Sequence, residues 1–145
     1  MMRRTLFGLL ASACLVGGAS GQPFTGYPAG AAPLTAAFSG ADTTTAAATL
    51  PAAVGQRTYV CGYSISGAGA TAATPVNAVL SGLTTSLQYV YTYVAGATLA
   101  NQTLQGTFLP CVPSSALNTA IVMTVPGAAG NTNTAISLTG YSAFQ

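Results

Sequence analysis

Beyond residue 20 the 145-residue chain carries two charged side chains, Asp42 and Arg57, and it has no lysine, glutamate, histidine or tryptophan anywhere. Each absence removes a class of chemistry. Proton transfer near neutral pH needs a positioned imidazole, carboxyl or amine, and a single aspartate without a partner acid or base is almost nothing from which to build such a site. A nucleophilic serine needs a neighbouring base, which this composition lacks despite its many Ser and Thr residues. Zinc asks for four nitrogen or sulfur ligands and calcium for several carboxylates, so neither is expected. The composition therefore points away from an enzyme and implies no cofactor.

Net charge is missing as well. The formal +2 is supplied by Arg3 and Arg4, because Asp42 and Arg57 cancel. A neutral body cannot displace counterions from a phosphate backbone, so nucleic acid is not an expected partner. Near-zero charge also removes the repulsion that keeps copies of a protein apart. A homo-oligomer or a particle lattice is the expected state, the alternative being a monomer hydrated by Thr, Ser, Asn and Gln.

Half of the residues are apolar, which excludes disorder driven by low hydrophobicity and high charge. Alanine is interleaved with Thr, Gly, Val and Tyr, which favour strands and turns. Strand-like segments recur at Leu34–Ser39, Thr43–Leu50, Arg57–Ser66, Val76–Leu83, Ser86–Val94, Leu104–Leu109, Thr119–Val125 and Thr134–Tyr141. Gly, Pro and Asn separate them. About eight short strands at this spacing predict an all-β chain: an antiparallel β-sandwich, jelly-roll-like, over residues 34–145. Within Arg57–Ser66 the alternation puts Tyr59, Cys61, Tyr63 and Ile65 on one face. Thr43–Leu50 and Arg57–Ser66 read as a hairpin, with Asp42 and Arg57 placed to pair across its base, and Tyr59 and Phe108 are assigned to one core.

The N-terminus reads as an address. Two arginines precede the apolar run Leu6–Val16, which is too short to span a bilayer, and small residues follow at Gly17–Gly21. Residues 1–21 therefore have the layout of a secretory signal. Leu10–Cys14 offers a second reading, lipid acylation at Cys14, and an arm retained against a neighbouring subunit is a third. Residues 22–33 are rich in Pro, Gly and Ala and read as a linker. After removal of a signal the cysteines are Cys61 and Cys111. A disulfide between them suits an exported protein, two buried thiols being the alternative.

Two further patterns invite function. Tyr89, Tyr91 and Tyr93 alternate along one strand, as a platform for glycans would, or as the lining of a core or an interface. Asn101-Gln102-Thr103 matches the glycosylation acceptor tripeptide.

Three stretches, Ala47–Tyr63, Pro113–Val122 and Pro126–Ala135, together resemble a loose group of small β-rich proteins of tailed-phage and prophage genomes, mostly unassigned and regarded as virion components. The resemblance spans roughly Ala41 to Tyr141 and implies a virion decoration or fibre-associated protein, without carrying over functional residues. An exported adhesion or glycan-binding module, extracellular rather than virion-borne, is the alternative expectation.

Overall fold

The computed structural model describes residues 27–41, 44–96, 102–130 and 133–145. The leader 1–21 with Cys14, residues 22–26 of the linker, Asp42 and the Asn101 of the acceptor tripeptide lie outside these residues. Eight strands form two four-stranded antiparallel sheets. They are β1 (Ala32–Ala41), β2 (Thr45–Leu50), β3 (Arg57–Ala68), β4 (Thr74–Ser81), β5 (Leu87–Tyr93), β6 (Gln102–Pro113), β7 (Ile121–Pro126) and β8 (Asn133–Ala143). One sheet has the order β1-β8-β3-β6 and the other β2-β7-β4-β5. Strands therefore pair 1 with 8, 2 with 7, 3 with 6 and 4 with 5. That is a long two-stranded ribbon rolled over on itself, the jelly-roll arrangement of a β-sandwich.

The prolines sit where a ladder can spare a donor. Pro33 lies on the edge strand β1, while Pro110 and Pro113 lie on the opposite edge strand β6. Pro75 is in the interior strand β4, but pairing to β7 covers only Val79 to Ser81, so its β7 side has no ladder there. Beginning at Ala32, β1 takes up the last two residues of the expected linker.

Between the sheets, alternate residues form the core. Leu50, Val60, Ile65, Leu80, Ile121, Met123, Val125 and Leu138 are all fully buried. Each such aliphatic side chain contributes about 1.5–3 kcal/mol relative to an exposed one. Polar tips are satisfied within the core. The Tyr93 hydroxyl lies 2.8 Å from Thr134 Oγ1 and donates to Pro126 O at 3.2 Å. Tyr91 donates to the carbonyl of Gly67 at 3.3 Å. Gly67 is bare for a steric reason: a Cβ there would lie 2.7 Å from the Tyr93 ring.

Three expectations need correction. Thr45–Leu50 and Arg57–Ala68 do not form a hairpin, because β2 pairs with β7 in one sheet and β3 with β8 and β6 in the other. The connection between them crosses the sandwich. It is held by Asn118, whose left-handed backbone (φ 58°) lets Oδ1 accept from Gly55 N at 2.6 Å. Second, Tyr59 and Cys61 do not share a face with Tyr63 and Ile65. A bulge between Val60 and Gly62 makes Cys61 an extra residue, so the inward side chains change from Thr58 and Val60 to Tyr63 and Ile65. One extra residue in a two-residue period reverses every later side chain. Third, Phe108 packs against the core beside Tyr63, with ring centroids 6.0 Å apart, whereas Tyr59 points outward and stacks on Tyr141.

Candidate functional site

The bulge is a two-strand feature. Thr107 of β6 faces Gly62 and Val112 faces Val60, so Phe108 to Cys111 stand opposite the single residue Cys61. Within this bulge the Leu109–Pro110 peptide is cis and Leu109 is fully exposed. Cys61 and Cys111 form a disulfide with a Cα–Cα distance of 4.4 Å, tying the two irregular segments together. Leu104–Leu109 was expected to end at the prolines, but the displaced loop lets pairing resume at Val112, and β6 runs to Pro113.

Reversal at Cys61 decides what the outer face of this sheet presents. The cross-strand register places Pro33, Tyr141, Tyr59 and Pro113 in one row across all four strands. Tyr59 and Tyr141 stack with centroids 4.6 Å apart and planes 11° apart, and Tyr27 tilts over Tyr141 at 5.3 Å. Beyond the bulge the next row is Thr35, Thr139, Gly62 and Thr107. After it come Ala37, Ser137, Ser64 and Gln105, and then Ser39, Ala135, Ser66 and Thr103. Successive rows are about 7 Å apart and neighbouring strands about 4.8 Å. An aromatic row thus borders three rows of small, uncharged side chains.

A hollow of about 460 Å³ opens on this face, lined by Gly62, Ser64, Gln105, Thr107, Ser137 and Thr139 with the backbone of Tyr63 and Gly106. Two glycines make it. Gly62 brings no side chain to the floor, where a Cβ would lie 3.2 Å from Thr139 Oγ1 and 3.3 Å from Gly106 O. Gly106 leaves room beneath for the Tyr63 ring, which a Cβ would approach to 2.6 Å. Glycine in a strand interior commonly marks a bulge or a close approach by another molecule.

The stripe Tyr89, Tyr91 and Tyr93 lies elsewhere. Tyr91 is 1 % and Tyr93 0 % exposed, with their rings edge to face at 5.0 Å inside the sandwich. Tyr89 is half-buried, 4.8 Å from the ring of Tyr63. Burial raises the pKa of Tyr91 to about 12, with the neighbouring Tyr93 adding to the shift. Tyr63 is likewise pushed up to about 12, by burial first and then by Tyr89. The aromatic cluster of the first sheet, with Tyr141 buried beneath Tyr59 and Tyr27, escapes sequence reasoning because the three are far apart in the chain and meet only in the fold.

The outer face of the second sheet differs in character. Val79 faces Thr124 and Gln88, Val122 faces Thr49 and Ser81, and Val90 faces Asn77. Val90 is 69 % exposed. Among the described residues the charged side chain is Arg57, which donates from Nη1 to Ser114 O at 3.1 Å near the end of the first sheet. Among them, too, no cluster of three His, Cys, Asp or Glu residues occurs, and no helix is long and apolar enough to cross a membrane. Compared with known proteins, the chain matches no family model and no curated sequence.

Proposed function

We propose that this chain is a non-enzymatic structural subunit that assembles with its own copies or on the surface of a particle. The observation that carries this reading is the outer face of the β2-β7-β4-β5 sheet, where Val79, Val90 and Val122 stand among Thr, Ser, Asn and Gln without a charge in the described rows. Protein interfaces are depleted of charge at their centres, and a face without charge has no electrostatic means of rejecting its own copy. A virion decoration or fibre-associated role is the specific form that the resemblance to phage proteins implies.

The disulfide is compatible with an exported protein, since such bonds persist in oxidising compartments. A subunit displayed outside the cell, or on a particle released from it, meets that condition. Sedimentation velocity of the full chain over a concentration series tests the proposal. Defined species larger than one chain support self-assembly. A single-chain species at every concentration refutes it and leaves attachment to a particle, which co-sedimentation of the chain with that particle then has to show.

A further inference from the structure

We infer that the hollow on the β1-β8-β3-β6 face binds a neutral saccharide chain. This goes beyond structural assembly and concerns the opposite face of the sandwich. The volume of about 460 Å³ lies within the range of small-ligand sites, and its chemistry is selective. Ser64, Thr107, Ser137 and Thr139 offer hydroxyls and Gln105 an amide, groups that both donate and accept, as sugar hydroxyls do. Thr139 Oγ1 has a long bond of 3.4 Å to Gly62 O. The side chains of Ser64, Gln105, Thr107 and Ser137 make no hydrogen bond among the described residues, so their capacity is open to a ligand.

The bordering row adds an apolar component. Tyr59, half-buried and backed by the buried Tyr141, lies one row from Gly62, and an aromatic ring takes the apolar C–H faces of sugars as it takes other apolar groups. Charge then narrows the class. A uronate, sulfate or phosphate group brought here would lose water without gaining a cation, because the lining holds no charged side chain. The complement of a neutral, hydroxylated, aromatic-edged hollow is a neutral polyhydroxylated chain.

The bulge makes this a built feature. Without the extra residue at Cys61, the inward-facing set of β3 would turn outward, and Gly62 would leave the floor of the hollow. The cystine between Cys61 and Cys111 therefore fixes the segment that forms the hollow.

Saturation-transfer difference NMR on the full chain, which tolerates large assemblies, tests this with maltohexaose, cellohexaose, mannohexaose and chitohexaose, and with a hexa-uronate as the charged control. At least one neutral hexamer is expected to receive saturation and the uronate none. Ser137→Arg, at an exposed position, fills the hollow and abolishes the signal. Gln105→Ala, exposed on the edge strand, weakens binding by about fivefold, the loss of one net hydrogen bond. Silence from all four neutral hexamers, equal transfer to the uronate, or transfer that survives Ser137→Arg overturns the inference. Light scattering on the same samples separates it from assembly. A Ser137→Arg variant that loses both saccharide and fold, seen as a lowered melting midpoint, shifts the decision to Gln105→Ala, whose unchanged affinity overturns the inference. A Ser137→Arg variant that dissociates an oligomer while no hexamer binds the parent chain makes the hollow an interface between copies, which also overturns it.

Discussion

Cys61 is the residue at which β3 changes face, and its disulfide to Cys111, with Cα atoms 4.4 Å apart, ties that change to the neighbouring strand. The sheet is thereby divided: tyrosines and prolines face outward on one side of the bond, glycine and small hydroxylated residues on the other. A single local irregularity thus sets the surface chemistry of half the sandwich.

Breaking this bond should cost much of the stability of the domain. The two cysteines are 50 residues apart, and closing a loop of that length contributes about 4 kcal/mol in the chain-entropy model. Urea denaturation of the Cys61→Ala, Cys111→Ala double variant should show a loss of that order. A loss below about 1 kcal/mol would place the stability of the bulge in its packing rather than in the cross-link.

Gly140 is a second point of rigidity. A Cβ there would run into the carbonyl oxygen of Tyr59 and come within 3.0 Å of Leu50 Cδ1, which reaches across from the other sheet. Backbone on one side and core on the other leave nothing flexible to yield. Gly140→Ala should therefore destabilise by about 3 kcal/mol, the upper part of the overpacking range, read as the shift in denaturation midpoint. A neutral substitution would contradict the register between β3 and β8.

Most of the strand layout was legible from the residues. Alternation in Ser86–Val94 and Thr119–Val125 marks half-buried strands, Pro126–Gly127 marks the end of the second, and Pro51 that of Thr43–Leu50. All eight segments correspond to strands, with the far end of Leu104–Leu109 missed by four residues because β6 runs on to Pro113. Pairing was not legible, since which strand lies beside which depends on long-range closure, and the supposed hairpin from Thr43 to Ser66 is in truth a crossing between sheets. Tyr59 was assigned to the wrong face because a bulge leaves no mark in a pattern of alternating types. The sequence Tyr59-Val60-Cys61-Gly62-Tyr63 held one signal that could have exposed it, a glycine inside a strand. The hollow and its tyrosine border were illegible for the same reason: they consist of residues from four strands that only the register brings together.

Removing one buried hydroxyl should be measurable. Tyr93 and Thr134 face each other at 2.8 Å with exposures of 0 % and 1 %. Tyr93→Phe leaves the Thr134 hydroxyl buried with its partner gone, which costs about 1–3 kcal/mol. Chemical denaturation reads this directly, and the Thr134→Val, Tyr93→Phe pair should recover part of the loss by removing the orphaned group.

Stability should be flat from mildly acidic to mildly alkaline pH and should then fall. The chain has one carboxylate side chain and no histidine, so few side chains change charge between about pH 5 and 9. Tyr63 and Tyr91 have folded-state pKa values of about 12 against an ordinary 10.0, raised chiefly by burial. A raised pKa means that the folded state holds the phenol proton more tightly than the unfolded chain. Their contribution is thus complete below pH 10 and is lost as the pH rises towards 12. Denaturation midpoints between pH 5 and 12, with phenolate absorbance followed in parallel, check both statements. A steep fall already between pH 5 and 8 would contradict them.

Charge placed on the valine-rich face addresses the proposed role most directly. Val90 is 69 % exposed, so Val90→Lys leaves the core intact while introducing like-charge repulsion between copies that meet there. The measurement is molar mass by light scattering for the full chain and for this variant at matched high concentration. The assembly account predicts an oligomer for the parent chain and a marked shift towards the single-chain mass for Val90→Lys. A parent chain that stays at its single-chain mass would contradict the account.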